Sequence, residues 1–408
     1  MTDTTTPQKH DTVPEERPSM TQPGSVNSII HDESFRAIAF QVIMIGAVLL
    51  FGLYLFNNTL TNLESRNIQT GFGFLSQESG FDINQNLIEY SPASTYGRAL
   101  VVGLLNTLLV AALGIVFATI IGTIVGVARL STNWLIRKLA SAYVETVRNI
   151  PLLLQLFVWY GIITETFPAV RNAWNPVGSL FISQRGFHVP VVEWSTPFNW
   201  AAIAVVAAVA IWIGLVKRAN KVQAQTGKRP PSHLIGLAVL ILLPVIVWGA
   251  GGAPWVVDAP AAGRFNINGG LTITPELVAL LLGLTFYTAG FIAEVVRSGI
   301  LAVSKGQWEA GEALGLPRRR ILNLIVLPQA LRVIVPPTTN QYLNLTKNSS
   351  LAVAIGYPDL VSAANTSMNQ NGQAIENIAL IMAAYLTVSL SISTFMNWYN
   401  KRIALVER

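Results

Sequence analysis

Cysteine is absent from all 408 residues, which excludes disulfides, thiol nucleophiles and thiolate metal sites and leaves the redox compartment open. Histidine is scarce as well: His10, His31, His188 and His233 have no metal-ligand spacing, so no metal site is expected. Charged residues make up 12% of the chain against 51% hydrophobic, with a mean hydropathy of +0.48. That balance is too apolar for a soluble protein of this size and suits a bilayer. No Gly-x-x-x-x-Gly-Lys-Ser/Thr run occurs, so the chain has no visible means of cradling nucleotide. No nucleophile, base and orienter share a plausible spacing either, and the chain is not read as an enzyme. The first 35 residues, rich in Thr, Pro, Ser, Gln and charge, lack an apolar h-region. They read as a disordered cytoplasmic tail rather than a cleavable signal.

Long apolar windows are what the chain does have. Stretches able to cross about 30 Å of hydrocarbon at about 1.5 Å per residue lie at 37–56, 99–127, 147–166, 200–216, 234–250, 274–296, 331–355 and 377–398. Eight spans are expected in an all-α polytopic membrane protein, the seventh broken by Pro336 and Pro337. The formal charge of +6 could suggest nucleic acid, but the bases sit in short clusters beside apolar runs. Arg129, Arg137 and Lys138 follow the second span; Lys217, Arg218, Lys221, Lys228 and Arg229 follow the fourth; Lys305 and Arg318 to Arg320 follow the sixth; Lys401, Arg402 and Arg408 close the chain. The loop 57–98 instead carries Glu64, Glu78, Asp82 and Glu89 against Arg66 and Arg98. This is positive-inside patterning with both termini cytoplasmic, and no nucleic-acid partner is implied.

Between spans six and seven, residues 307–337 read QWEAGEALGLPRRRILNLIVLPQALRVIVPP. An amphipathic stretch with Glu309 and Glu312 ends at Gly315, a residue suited to the left-handed position after a helix. Pro317 then suits the first turn of a second helix, where no backbone N–H is needed. The segment resembles the signature of the transmembrane permease subunits of ABC importers: Glu-Ala-Ala, three residues, Gly, nine residues, Ile, one residue, Leu-Pro. Glu309, Ala310, Gly315, Ile325, Leu327 and Pro328 all fall in place. Gly311 departs from the usual third Ala, at a cost of about 1 kcal/mol in helix propensity. Further resemblance lies in AYVETVRNIPLLLQLF (142–157), FIAEVVRSGILAVSKGQWEA (291–310) and LTKNSSLAVAIGYPDL (345–360), which are similar to the polar amino-acid subfamily. The long middle segment resembles the larger permease of general L-amino-acid uptake systems.

The resemblance implies a five-helix permease core with a cytoplasmic coupling helix-turn-helix at 304–330. On that plan residues 36–94 form the first transmembrane helix and a periplasmic loop, 95–166 the first part of the core, 167–269 an inserted segment with two transmembrane helices, and 270–408 the second part. Trp174, Trp194, Trp200, Trp248 and Trp255 in the insertion suit the headgroup belt. The implied partners are a homologous permease, two ATP-binding-cassette ATPase subunits and a periplasmic amino-acid-binding protein, in the bacterial inner membrane. ATP and Mg would be bound by the ATPases and no cofactor by this chain. Glu309 and Ala310 would sit at the ATPase contact, Gly315 would make the bend, and Pro328 would end the second helix and open the way into span seven.

Other polar residues have two readings each. Glu145 with Arg148, and Glu294 with Arg297, form Glu-x-x-Arg pairs on one helix face at the cytoplasmic ends of spans three and six. They are interfacial anchors or a gate. After the diproline come Asn340, Asn344 and Lys347, whose polarity cannot face lipid and must meet protein or a water-filled cavity. Asn106 and Thr107 in span two, Gln155 in span three and Thr285 and Thr288 in span six either line the pathway or bond helix to helix. Lys347 meets an amino-acid carboxylate or snorkels to outer headgroups. The alternative function is an ion-coupled secondary amino-acid transporter, which would place buried acids at the midplane; no acidic residue lies centrally in a well-defined span.

Overall fold

The computed structural model describes residues 33–65, 70–193, 195–228, 230–253, 255–263 and 266–403, in two compact units, Met1–Thr70 and Gly71–Arg408. The tail expected at 1–35 lies outside the described residues except for its last three, which begin a helix. That helix, α1 (Glu33–Ser65), is apolar from Phe35 to Asn62, 28 residues, or roughly 42 Å at the standard helical rise. In its last turns Thr61, Asn62 and Ser65 bond back to the carbonyls of Asn57, Asn58 and Asn62, so each places a side-chain donor within the helix.

The second unit is organised on two long helices, α2 (Tyr96–Ala128) and α7 (Pro275–Leu301). Thr95 and Thr274 cap them, each accepting the N–H three residues on, from Arg98 and Leu277, at 3.3 Å. Gly122 and Gly126 let the helices touch: a Cβ on Gly122 would lie 2.7 Å from that of Ile292, and one on Gly126 2.7 Å from the Ala293 carbonyl. Small residues four apart are how helices approach closely where lipid supplies no hydrophobic drive. Leu280, Leu284 and Ile292 of α7 form the fully buried centre of the core with Val110, Ala118 and Leu156.

Two expected spans differ from their forecasts. The third is a bent pair, α3 (Trp134–Asn149) and α4 (Leu152–Gly161), with a π segment to Thr166, meeting at 105°. Pro151 forces its neighbour out of the helical region, and Ile150 is extended at φ −95° and ψ 126°. The seventh is unbroken. Residues Arg318–Ile355 form one helical run: α9 (Arg318–Ile321), a π segment Leu322–Val326, α10 (Leu327–Asn348) and a 3-10 turn Ser349–Ile355. Pro336 and Pro337 stand exposed within it. Thr338 and Thr339 donate to the Ile334 and Val335 carbonyls at 2.7 and 3.1 Å beside the gap, and side-chain bonding of this kind lets membrane helices carry proline. Pro328 likewise ends nothing: it occupies the first turn of α10, and the π segment before it absorbs its missing N–H.

After the run, α11 (Leu360–Asn371) packs on α2, and α12 (Ala374–Ile403) closes the described chain. Seven helices among the described residues are long and apolar enough to cross a membrane, eight crossings if the bent pair is one. The chain is a multi-pass, mainly helical membrane protein.

The segment between α4 and α7 holds a hairpin, α5 (Thr196–Thr226) and α6 (Ser232–Ala250), and, among the described residues, seven short strands that the all-α forecast omits. Strands β1 (Phe181–Ser183), β2 (Gly186–Val189) and β7 (Leu271–Ile273) form an antiparallel sheet in that order. β3 (Val191–Val192) pairs with β4 (Val257–Asp258), and β5 (Ala261–Ala262) with β6 (Ile267–Asn268). Strands from before α5 bond to strands from after α6, so both flanks lie at one end of the hairpin. Its basic turn, with Lys217, Arg218, Lys221 and Lys228, lies at the other.

Candidate functional site

The signature segment forms α8 (Lys305–Ala313), which ends in a Schellman turn. Gly315 takes φ +70°, its N–H bonds the Glu312 carbonyl at 2.9 Å, and the Leu316 N–H reaches back to Gly311 at 3.1 Å. Gly311 is buried: a Cβ there would lie 2.9 Å from Cγ1 of Ile321, the side chain that α9 lays across it. Gln329 donates to Gln307 at 3.3 Å, a second tie between α8 and the long helical run. Glu309 and Ala310 face away from these contacts, exposed, and Leu314 is 77% exposed. α8 is thus fixed on its inner side and open on its outer one.

The two Glu-x-x-Arg pairs are not equivalent. Glu294 accepts from Arg297 at 2.6 Å and also from Arg129, the residue capping the C-terminus of α2. The Arg129 side chain is only 12% exposed, so this triad ties α2 to α7 in a partly desolvated place. The other pair forms no ion pair. Arg148 lies over the Phe291 ring at 5.0 Å, a cation–π contact across to α7, and Glu145 is exposed. The bend at Ile150 explains the difference, because α3 runs along α7 here and offers Arg148 a ring.

Among the remaining candidates, Asn106 donates to the carbonyls of Gln85 and Pro358 at 2.8 and 2.9 Å. Thr107 accepts the Leu360 N–H at 3.1 Å and donates to Gly103. Gln155 donates to the Val147 and Ile150 carbonyls at 2.9 Å, satisfying backbone that the bend leaves open. All three act between backbone segments. Thr285 and Thr288 are buried in α7, the Thr285 hydroxyl without a partner among the described residues. Asn340, Asn344 and Lys347 behave differently: spaced by four and three, they share one exposed side of α10 with Val333, Pro336 and Pro337. Asn344 and Lys347 are left uncovered by this chain, while Pro336, Pro337 and Asn340 border an open groove beside α12.

Two polar features escaped the sequence reading. Arg129 reads as a topology marker until its carboxylate partner, 165 residues away, is known. Asp359 is fully buried, one oxygen capping α11 through the Ser362 N–H at 2.8 Å and the other without a partner among the described residues. Burial pushes its carboxyl up to about 7 from an ordinary 3.8, against the lowering effect of bonds from the α11 backbone. Asp three residues before Ser362 was the available cap signal. Among the described residues no group of three or more His, Asp or Glu could hold a metal ion.

Residues 231–405 match the family described as "Binding-protein-dependent transport system inner membrane component". Over 91% of this chain and 95% of its relative, the sequence is 49% identical to the putative amino-acid ABC transporter permease protein YhdX of Escherichia coli. It is 47% identical to the general L-amino acid transport system permease protein AapQ of Rhizobium johnstonii, over 94% of this chain and 96% of that one. Over 94% and 97% it is 42% identical to the glutamate/glutamine/aspartate/asparagine transport system permease protein BztB of Rhodobacter capsulatus. At least 91% of this chain falls within each match, so most of residues 167–269 are included.

Proposed function

The chain belongs to the binding-protein-dependent transport system inner membrane components, as a permease of the ABC transporters, and from that premise we propose that it translocates polar or general L-amino acids by alternating access. It works beside a homologous permease, with two ATPase subunits that bind ATP and Mg on the cytoplasmic side and a periplasmic amino-acid-binding protein that delivers substrate. This chain moves the substrate and leaves hydrolysis to the ATPases. It sits in the bacterial inner membrane with both termini and the 217–232 turn cytoplasmic.

The observation that carries this reading is the continuity between α8 and α10. The outer face with Glu309 and Ala310 is free to meet an ATPase, while the inner face is held by Gly311 against Ile321 and by Gln307 against Gln329. From Ile321 the helix runs on without a break to the side bearing Asn340, Asn344 and Lys347. A displacement at α8 therefore moves the polar side as a rigid lever. Asn340, Asn344 and Lys347 line the translocation pathway, with Lys347 toward its outer end. Asn106, Thr107 and Gln155 hold the walls, and the Glu294 triad acts as an anchor between α2 and α7. The family assignment removes the ground for the ion-coupled alternative.

Purification of a tagged chain from its native membrane tests the partners: an ATPase subunit and a second permease should follow it in stoichiometric amounts. Recovery of the chain alone, active in ion-driven uptake, would overturn the reading. Cysteines placed singly at Gln225 and Ser76 test the topology by labelling from opposite sides of the membrane.

A further inference from the structure

Between α10 and α12 lies a groove of about 370 Å³, lined on one wall by Pro336, Thr339 and Asn340 and on the other by Ser393, Asn397 and Asn400. The second wall was not singled out by sequence. Ser393, Asn397 and Asn400 are spaced by four and three, so they form one stripe along a span. Elsewhere on α12, Thr387 and Ser391 satisfy themselves by donating to the carbonyls of Ala383 and Thr387. A primary amide can place only one donor this way, as Asn377 does on the Gln373 carbonyl, and leaves its second donor and its acceptor oxygen open. Among the described residues Asn340, Asn397 and Asn400 make no hydrogen bond within the chain. Three such amides facing hydrocarbon would each cost several kcal/mol, so water, solute or another chain must meet them.

Among the described residues, none that lines the groove is acidic. One helical turn below Pro336, and on the same side of α10 as Thr339 and Leu343, stands Arg332, whose Nε and Nη2 are buried without a partner among the described residues. Arg332 is not itself one of the residues lining the groove, but its charge, one helical turn away, sets a positive potential at that end of the neutral, amide-lined trough. On the topology proposed above the two spans cross in opposite directions, which puts Asn400 at that same end, nearest α8 and α9.

We infer that this groove is a hydrated subsite in the inner half of the pathway, taking a zwitterionic amino acid whose carboxylate points toward Arg332 and whose remaining polar groups meet the amides. This rests on the permease reading above. Neutral amides discriminate little among side chains, so the subsite holds substrate loosely and passes substrates of differing side-chain charge.

This chain has no cysteine of its own, so single cysteines can be tested in the whole transporter, in inside-out membrane vesicles loaded with the binding protein and substrate, with ATP-driven release of substrate followed in parallel. Single cysteines replacing Asn397 and Asn400 are treated with small methanethiosulfonates of opposite charge. The expected result is labelling by both, several-fold faster with the anionic sulfonate, slowed by 20 mM L-glutamine, with the charge preference lost in Arg332→Gln. Labelling only by a membrane-permeant maleimide, in variants that still transport, would overturn the subsite and assign the stripe to lipid or to the partner permease. Equal rates for the two charged reagents would overturn the orientation toward Arg332. Failure of ATP-driven release in the unaltered transporter would instead count against the permease reading itself.

Discussion

Ile321 lies across the backbone of Gly311, near enough that a Cβ on the glycine would come within 2.9 Å of Cγ1 and 3.1 Å of Cδ1. This contact explains the one departure from the importer signature: glycine stands where alanine is usual because the facing residue is large. Gly311→Ala gains about 1 kcal/mol of helix propensity but must push Ile321 aside and tilt α8. Uptake should fall several-fold while complex yield holds. Gly311→Ala with Ile321→Val should recover most of it. Additive losses in the double variant, read from uptake rates of purified complexes, would count against the lever.

Glu294→Gln should cost far more than Glu145→Gln. Removing the Glu294 charge leaves Arg129 partly buried without its carboxylate, a loss of about 2–4 kcal/mol discounted for partial exposure. Glu145 makes no ion pair, and its substitution should stay within about 0.5 kcal/mol. Thermal unfolding of the two purified variants decides this, and equal shifts would contradict it.

Asn106→Leu and Asn344→Leu should separate wall from path. The first strips donors from the Gln85 and Pro358 carbonyls, at about 1–3 kcal/mol for each left unmet, and should lower complex recovery. The second removes a polar group from an uncovered surface and should lower uptake at nearly normal recovery and basal ATP hydrolysis. The reverse pattern, measured by yield and uptake side by side, would exchange their roles.

Stability should depend on pH through Asp359. Its carboxyl binds a proton more tightly in the folded chain, at about 7, than when unfolded, at 3.8. The stabilisation is therefore complete below the unfolded value and is lost as pH rises toward and past about 7. The melting temperature of the complex should fall between pH 5 and pH 8 by several degrees more than that of Asp359→Asn, which keeps a cap for the Ser362 N–H and cannot titrate. Parallel melting curves for the two would contradict the assignment.

The spans and the helix-turn-helix of the signature segment were legible because each depends on local composition or fixed spacing. Gly315 could be read as a left-handed turn for the same reason. What the sequence hid depended on partners far along the chain. Pro336 and Pro337 read as a break, yet Thr338 and Thr339 bond beside the gap and open space beside α10 takes the rings. Pro151, in a plain apolar run, read as nothing and bends the chain by 105°. The two Glu-x-x-Arg pairs were identical in spacing and differ because Arg129 faces one and Phe291 the other. Asn106 and Asn344 likewise differ only in what lies opposite.

The central claim is that α8 receives the ATPase stroke and α10 carries it to the pathway. Its most direct test is substrate-stimulated ATP hydrolysis by the reconstituted transporter bearing Glu309→Lys, a charge reversal on the exposed face that adds repulsion where docking needs attraction. The account predicts a complex that inserts and binds its delivery protein normally, with stimulation by substrate reduced at least tenfold. Unchanged stimulation and uptake in that variant would contradict it.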